Sequence, residues 1–176
     1  MKIIEGGVTA SKGFESASTE AGIKYKNRKD MAMIYSQTPC KAAGTFTTNI
    51  VKAAPVKWDQ KIVKESEFAQ AVVINAGIAN ACTGAEGLGY CEKTAQAVAE
   101  VLNVPTDAVL VASTGVIGMQ LPIEKLENGI KAMVPNLDGS IESGTESAKA
   151  IMTTDTKKKE IAVEFELGGR VCHIGG

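Results

Sequence analysis

The stretch Ala108-Val109-Leu110-Val111-Ala112-Ser113-Thr114-Gly115-Val116-Ile117-Gly118 decides the fold of this 176-residue chain. Its first half is predicted to be an apolar strand, and that strand runs directly into two hydroxyl residues and a glycine instead of a polar loop. Polar groups placed at the end of an apolar element are typical of a binding or catalytic site. The sequence therefore predicts a site at this strand end.

Within that stretch, Thr114-Gly115 has two interpretations. Glycine leaves its backbone N–H unshielded and the threonine hydroxyl is a movable donor, so the pair can receive negative charge on a carbonyl oxygen, as an oxyanion hole does. Alternatively, Gly115 adopts positive φ in a tight turn and Thr114 caps the next segment. Taken alone, the pattern favours the turn, because glycine after a strand is common.

Further strands are predicted from apolar content, alternation and turn residues. They are Met31 to Tyr35, Gly44 to Thr48, Ala69 to Asn75, and a hairpin that runs from Ile161 to Leu167, turns at Gly168-Gly169 and returns from Val171 to Ile174. The continuous apolar character of the Ala69 strand indicates burial on both faces of its sheet. In the hairpin, apolar residues alternate with glutamates, which indicates a half-buried strand.

Helices are predicted between the two groups of strands. Apolar residues at helical spacing and flanking prolines indicate helices from Tyr90 to Leu102, from Pro122 to the residue before Pro135, and from Ser143 to Met152. The order lacks regular strand–helix alternation, so we predict an α/β fold of the α+β type, with mixed and antiparallel sheets covered by helices. No linker or repeat divides the chain, and residues 1–176 are expected to form a single domain.

Composition limits the partners. The chain has 19 basic and 20 acidic residues, so no charge excess drives it to nucleic acid or anionic lipid. It contains neither a signal peptide nor an apolar run long enough to span a membrane, and we expect a cytoplasmic location. Its four cysteines show no CxxC spacing, and Cys172 beside the single His173 is too small a set for zinc, so no metal is expected.

Nucleotide motifs do not occur. The Gly84 to Gly89 segment does not match GxGxxG, and there is no Walker A lysine motif. Three other segments mix small and polar residues: Lys12-Gly13-Phe14, Ala43 to Asn49, and Asn75 to Gly84. Their donors could line a polar pocket at the strand ends, or they could be tightly packed, side-chain-capped turns.

Taken together, these motifs resemble a known family. Asn75-Ala-Gly-Ile-Ala-Asn-Ala-Cys-Thr-Gly84, Ser113-Thr-Gly-Val-Ile-Gly118 and Ile151-Met-Thr-Thr-Asp-Thr156, with Ala43 to Asn49 as a fourth, resemble the ornithine acetyltransferases, also called the bifunctional glutamate N-acetyltransferases of arginine biosynthesis. The likeness covers essentially the whole chain. Ile78 departs from it, since relatives often carry a polar residue there. The resemblance implies the self-processing fold shared with DmpA.

The resemblance also implies that this chain is one part of a processed enzyme. Family members are made as a precursor that cleaves itself before a threonine, and the chain resembles the α part. The nucleophile is therefore expected outside it, as the N-terminal threonine of a β chain, after a processing segment that would follow Gly176. The implied assembly is an α2β2 heterotetramer.

The implied reaction moves an acetyl group from N-acetylornithine to glutamate through an acetyl-threonine enzyme. Thr114 and Gly115 match the oxyanion pair of the family, and Thr153 matches a substrate-binding position, with Thr154 as the adjacent alternative. No cofactor is implied, and acetyl-CoA stays open as a second acetyl donor. Two other classes stay open: an N-terminal-nucleophile amidase or aminopeptidase of similar fold, and a non-catalytic binding or assembly module.

Overall fold

A computed structural model describes residues 1–176 as two sheets with helices around the larger one. The strands are β1 (Lys2–Ile4), β2 (Phe14–Thr19), β3 (Met31–Cys40), β4 (Ala69–Ile78), β5 (Val109–Val116), β6 (Ala162–Leu167) and β7 (Arg170–Gly175). The helices are α1 (Ala54–Glu65), α2 (Glu86–Leu102), α3 (Ile123–Met133) and α4 (Ile141–Ala150). None of the helices is both long and apolar enough to cross a membrane.

The larger sheet has the strand order β2-β3-β4-β5. Its first two pairings are antiparallel, and β4 and β5 are parallel. Helix α2 lies between these parallel strands in the chain, because a parallel pair needs a crossover connection. The carboxyl ends of β4 and β5 therefore meet at one edge of the sheet, where Ala76 lies opposite Thr114 and Gly77 opposite Gly115.

One face of this sheet carries the core. Alternate strand residues such as Met33, Val73 and Val111 are buried there against α2 and α3, which contribute Val98 and Ile130. The three predicted helices thus exist, although the described boundaries differ from the expected ones by up to four residues. Helix α4 begins at Ile141 because Ser140 is its N-cap and accepts a hydrogen bond from the Ser143 N–H at 3.2 Å.

The opposite face of the larger sheet is covered only in part. Helix α4 packs over β2 and β3, where Ser147 donates to the Ala17 carbonyl at 3.3 Å. Over β4 and β5 the apolar residues Val72, Ile74, Leu110 and Ala112 of this face are only half-buried, whereas Ala76, opposite Thr114, is fully buried. At the far edge, β2 is closed by a two-bond bridge between Ser16 and Asp138, with N···O distances of 2.9 and 3.1 Å.

The smaller sheet has the order β1-β6-β7 and contains the predicted hairpin. Its predicted apolar face is less buried than expected. Val163 and Phe165 are half-buried, but Leu167 is 67% exposed and Ile161, which precedes the strand, is 56% exposed. Within this chain, no element is packed over that end of the hairpin.

One predicted strand is wrong. Residues Gly44 to Thr48 have no regular secondary structure, and most of the segment is exposed. Threonine and phenylalanine favour strands only where a pleated, half-buried surface and a pairing neighbour are available. This segment has neither. The Met31 and Ala69 strands are confirmed, and both extend further than predicted.

Candidate active site at the ends of two parallel strands

Thr114 and Gly115 lie at the end of β5, on an open surface outside the principal cavities of the chain. Thr114 is half-buried and Gly115 is exposed. Gly115 has a φ of +134°, and a Cβ added to it would lie 2.2 Å from the carbonyl carbon of Gly77 and 2.4 Å from its oxygen. The two glycine backbones therefore touch, and no side chain fits between them.

Strand β4 ends beside them in a turn that a buried amide closes. Asn75 is 2% exposed; its Nδ2 donates to the Ile78 carbonyl at 2.9 Å, and its Oδ1 accepts from the Ser113 hydroxyl at 2.7 Å. A backbone bond continues the contact just past the end of β4, from the Ala79 N–H to the carbonyl of Val116, the last residue of β5, at 2.9 Å. The Asn75 side chain thus bridges β4 and β5 directly.

The following loop is also held from within. Asn80, which is fully buried with a positive φ of 45°, donates to the Gly87 carbonyl at 3.0 Å and accepts from the Thr83 hydroxyl at 2.9 Å. A Cβ on Gly87 would overlap this pair, so α2 starts tightly against the loop. Of the two interpretations of Asn75 and Asn80, the structure favours the capped turn over the lining of a pocket.

Helix α1 covers the outer edge of β5. The Trp58 indole N–H donates to the Val109 carbonyl at 3.0 Å, and the Asp59 carboxylate accepts from the Val111 N–H at 2.9 Å. Burial raises the pKa of Asp59 to about 6, against the lowering effect of the Val111 bond. Burial and the neighbouring Asp59 charge raise the pKa of the Cys91 thiol to about 12, so this cysteine is unreactive at neutral pH.

Thr153 follows the end of α4 and is half-buried, whereas Thr154 is exposed. The Met152 carbonyl accepts a hydrogen bond from Arg28 at 2.5 Å, and Arg28 lies shortly before β3, whose first residue pairs with Asn75. The end of α4 is therefore at the same edge of the sheet as Thr114. Side chains alternate along β5, so Thr114 also shares the face on which α4 lies. No hydrogen bond joins Thr153 to Thr114.

Charged side chains surround the end of α4. A cavity of about 270 Å³ is lined there by residues that include Arg28, Lys29, Glu146 and Lys149. Glu146 pairs with Lys149 at 2.8 Å and with Lys29 at 3.0 Å, and hydrogen bonds from both lysines lower its pKa. Sequence reasoning missed this cluster, because Arg28 and Lys29 are more than a hundred residues from α4 and no local pattern connects them.

Comparisons with known proteins bear on the whole chain. The ArgJ family model matches residues 15–176. The arginine biosynthesis bifunctional protein ArgJ of Gloeobacter violaceus is 46% identical over 174 residues, which are 98% of this chain and 42% of that protein. The protein of the same name from Thermotoga neapolitana is 50% identical over 166 residues, 94% of this chain and 41% of its own length. The chain thus spans about two-fifths of the length of these curated relatives.

Solved structures agree over nearly the whole chain. The crystal structure of ArgJ from Bacillus halodurans superposes with a TM-score of 0.92 at 36% identity and covers 99% of this chain and 92% of that one. The crystal structure of Mycobacterium tuberculosis ornithine acetyltransferase complexed with ornithine gives a TM-score of 0.91 at 38% identity with the same coverage. The predicted fold class and family resemblance are confirmed.

Proposed function

Because the chain belongs to the ArgJ family, we propose that it is the α part of an enzyme that transfers an acetyl group from N-acetylornithine to glutamate. The observation that carries the proposal is the family match over residues 15–176, which includes the strand end at Thr114-Gly115. The solved relative bound to ornithine supports the substrate class. We further propose an α2β2 assembly in the cytoplasm that needs no resident cofactor, with acetyl-CoA open as a second donor.

In the proposed reaction, a threonine hydroxyl from the β chain attacks the acetyl carbonyl of N-acetylornithine. The new Oγ–C bond forms as the amide C–N bond breaks, and ornithine leaves with the proton. The α-amino group of glutamate then attacks the acetyl ester, and the threonine oxygen leaves and regains its proton. Both steps place negative charge on the carbonyl oxygen, which the Thr114 hydroxyl and the Gly115 N–H would receive.

The part of the larger sheet's opposite face that α4 does not cover, over β4 and β5, supports a partner chain. Val72, Ile74, Leu110 and Ala112 are apolar and only half-buried, on the face opposite the core helices. Sheets with apolar residues on both faces require a layer on each side. Thr114 ends this same row of residues, so we propose that the rest of the family-length polypeptide covers the face and presents its nucleophile there.

The test uses the complete family-length polypeptide and measures ornithine release and N-acetylglutamate formation. We expect transfer by the complete protein, two chains in its native mass spectrum, and no transfer by the 176-residue chain alone. Thr114→Ala should lower kcat about 10²- to 10³-fold, the usual effect of losing one oxyanion donor. Thr106→Ala, which changes a half-buried threonine before the other end of β5, is the matched control and should leave kcat unchanged.

Three outcomes would contradict the proposal. Turnover by the isolated 176-residue chain would place the nucleophile inside it. An unchanged kcat in Thr114→Ala would remove Thr114 from the oxyanion hole. Release of acetate without N-acetylglutamate would make the protein a hydrolase.

A further inference from the structure

Asn75 is a buried amide that contacts both strand ends of the candidate site, yet it lies on the face away from Thr114. We propose that Asn75 is a positioning residue, which sets the orientation of the Thr114–Gly115 peptide through its bonds to Ser113 and Ile78. The inference rests on the proposed function, because an oxyanion hole gives this orientation its importance.

The bond to Ser113 is the first part of the argument. The Asn75 Oδ1 accepts from the Ser113 hydroxyl at 2.7 Å, between two residues that are directly opposite in the parallel register. Consecutive side chains of a strand point to opposite faces. The bond fixes Ser113 on the core face of the sheet, which α2 and α3 cover. It therefore also fixes the rotation of the β5 backbone that points the Thr114 side chain to the opposite face.

The bond to Ile78 is the second part. The Asn75 Nδ2 donates to the Ile78 carbonyl at 2.9 Å and so spans Gly77, whose backbone touches Gly115. Both glycines have positive φ, +111° and +134°, and glycine has no side chain that packing could hold in place. The amide thus adds a side-chain tether to a pair of glycine backbones that are otherwise held by their mutual contact and by backbone pairing of β4 with β5.

Asparagine suits this position because it donates and accepts at once. An ionised aspartate would keep the bond from Ser113 but would turn an acceptor toward the Ile78 carbonyl. Asn75→Asp therefore removes one of the two bonds without changing the size of the side chain. A leucine would remove both and leave the Ser113 hydroxyl without its partner.

The test is a double-mutant cycle in the complete protein, with Asn75→Asp, Thr114→Ala and the double variant. We expect Asn75→Asp to lower kcat for acetyl transfer about 10- to 100-fold, the scale of a displacement of up to an ångström, with the KM for N-acetylornithine unchanged. In the Thr114→Ala background the further loss should be smaller, because only the Gly115 N–H is left for Asn75 to position. Equal losses in both backgrounds would overturn the inference, since independent effects multiply.

Asn80→Asp is the matched control. Asn80 is an equally buried amide of the same segment, but its side-chain bonds run to Gly87, Thr83 and the Cys91 sulfur, and none reaches β5. We expect it to lower the thermal midpoint and to show no coupling to Thr114→Ala. Coupling as large as that of Asn75→Asp would show a general effect of loosening the segment and would overturn the inference.

A milder variant covers the case in which Asn75→Asp does not fold. Ser113→Ala removes only the hydroxyl that binds Asn75, and we expect a loss in kcat of about 2- to 10-fold, a typical value for one hydrogen bond, again coupled to Thr114→Ala. An unchanged kcat would overturn the inference. Failure of the proposed function is seen separately, because the unmodified protein would then transfer no acetyl group.

Discussion

Replacement of Asp59 by asparagine should stabilise the protein at neutral pH and leave its stability at pH 4 nearly unchanged. The carboxylate lies at the edge of β5, where it accepts the Val111 N–H at 2.9 Å. Burial raises its pKa from 3.8 to about 6. Asparagine keeps an acceptor oxygen for Val111 and carries no charge that burial could penalise.

The sign follows from proton linkage. Because the pKa of Asp59 is higher in the folded protein, the folded state binds its proton more tightly than the unfolded state. The stability contributed by that proton is fully present below about pH 4 and is lost as the pH rises through about 6. At about 1.4 kcal/mol per unit, the shift sets a ceiling of about 3 kcal/mol. Since Asp59 is partly exposed, we expect about 1–2 kcal/mol.

The assay is urea unfolding of the complete protein by circular dichroism at pH 4 and pH 8. Asp59→Asn should exceed the unmodified protein in free energy of unfolding by about 1–2 kcal/mol at pH 8 and match it at pH 4. Asp107→Asn, at an exposed carboxylate near the start of β5, is the control and should show no such difference. A less stable Asp59→Asn at pH 8 would refute the reasoning, because the charged bond to Val111 would then outweigh the cost of burial.

Two further predictions test the strand end and the substrate position. Gly115→Ala should lower stability by about 2–5 kcal/mol in thermal unfolding, because its methyl group would meet the Gly77 backbone. Gly118 also has a positive φ but has open space around it, so Gly118→Ala should lose only the stability that the strained backbone conformation costs. An equal loss in both variants would contradict the contact of Gly115 with Gly77. Thr153→Ala should raise the KM for N-acetylornithine about 3- to 10-fold with little change in kcat. A larger rise in this KM for Thr154→Ala would assign the substrate-binding position to Thr154 instead.

The sequence predicted the elements whose signal is local. Ala71 to Ile74 and Val109 to Ala112 are continuously apolar, and both lie in strands of the larger sheet. The Gly44 to Thr48 segment has the composition of a strand and is irregular, because pairing depends on neighbours that composition does not reveal. Three helices were predicted with shifted ends, since an N-cap such as Ser140 is one of several serines in its segment, and α1 was not predicted.

The candidate site was predicted in part. Its location at the end of β5 followed from one stretch of sequence, and the roles of Thr114, Gly115 and Thr153 stay predictions. The link from Asn75 to Ser113 could not be read from the sequence, because these residues are 38 positions apart and meet only through the register of β4 and β5. The contact of Gly77 with Gly115 was also not predictable, because it depends on the same strand register and either glycine alone is typical of an ordinary turn.

The bonds from α1 to β5 limit which edge positions of the larger sheet can pair with another strand. Trp58 and Asp59 occupy the carbonyl and amide groups that an incoming strand would need, and the bridge of Ser16 to Asp138 does the same at the other margin. At these positions the two margins of the larger sheet cannot pair with an added strand. A companion chain that contacted the larger sheet at these margins would have to lie on a face of the sheet, and the half-buried face over β4 and β5 ends at Thr114.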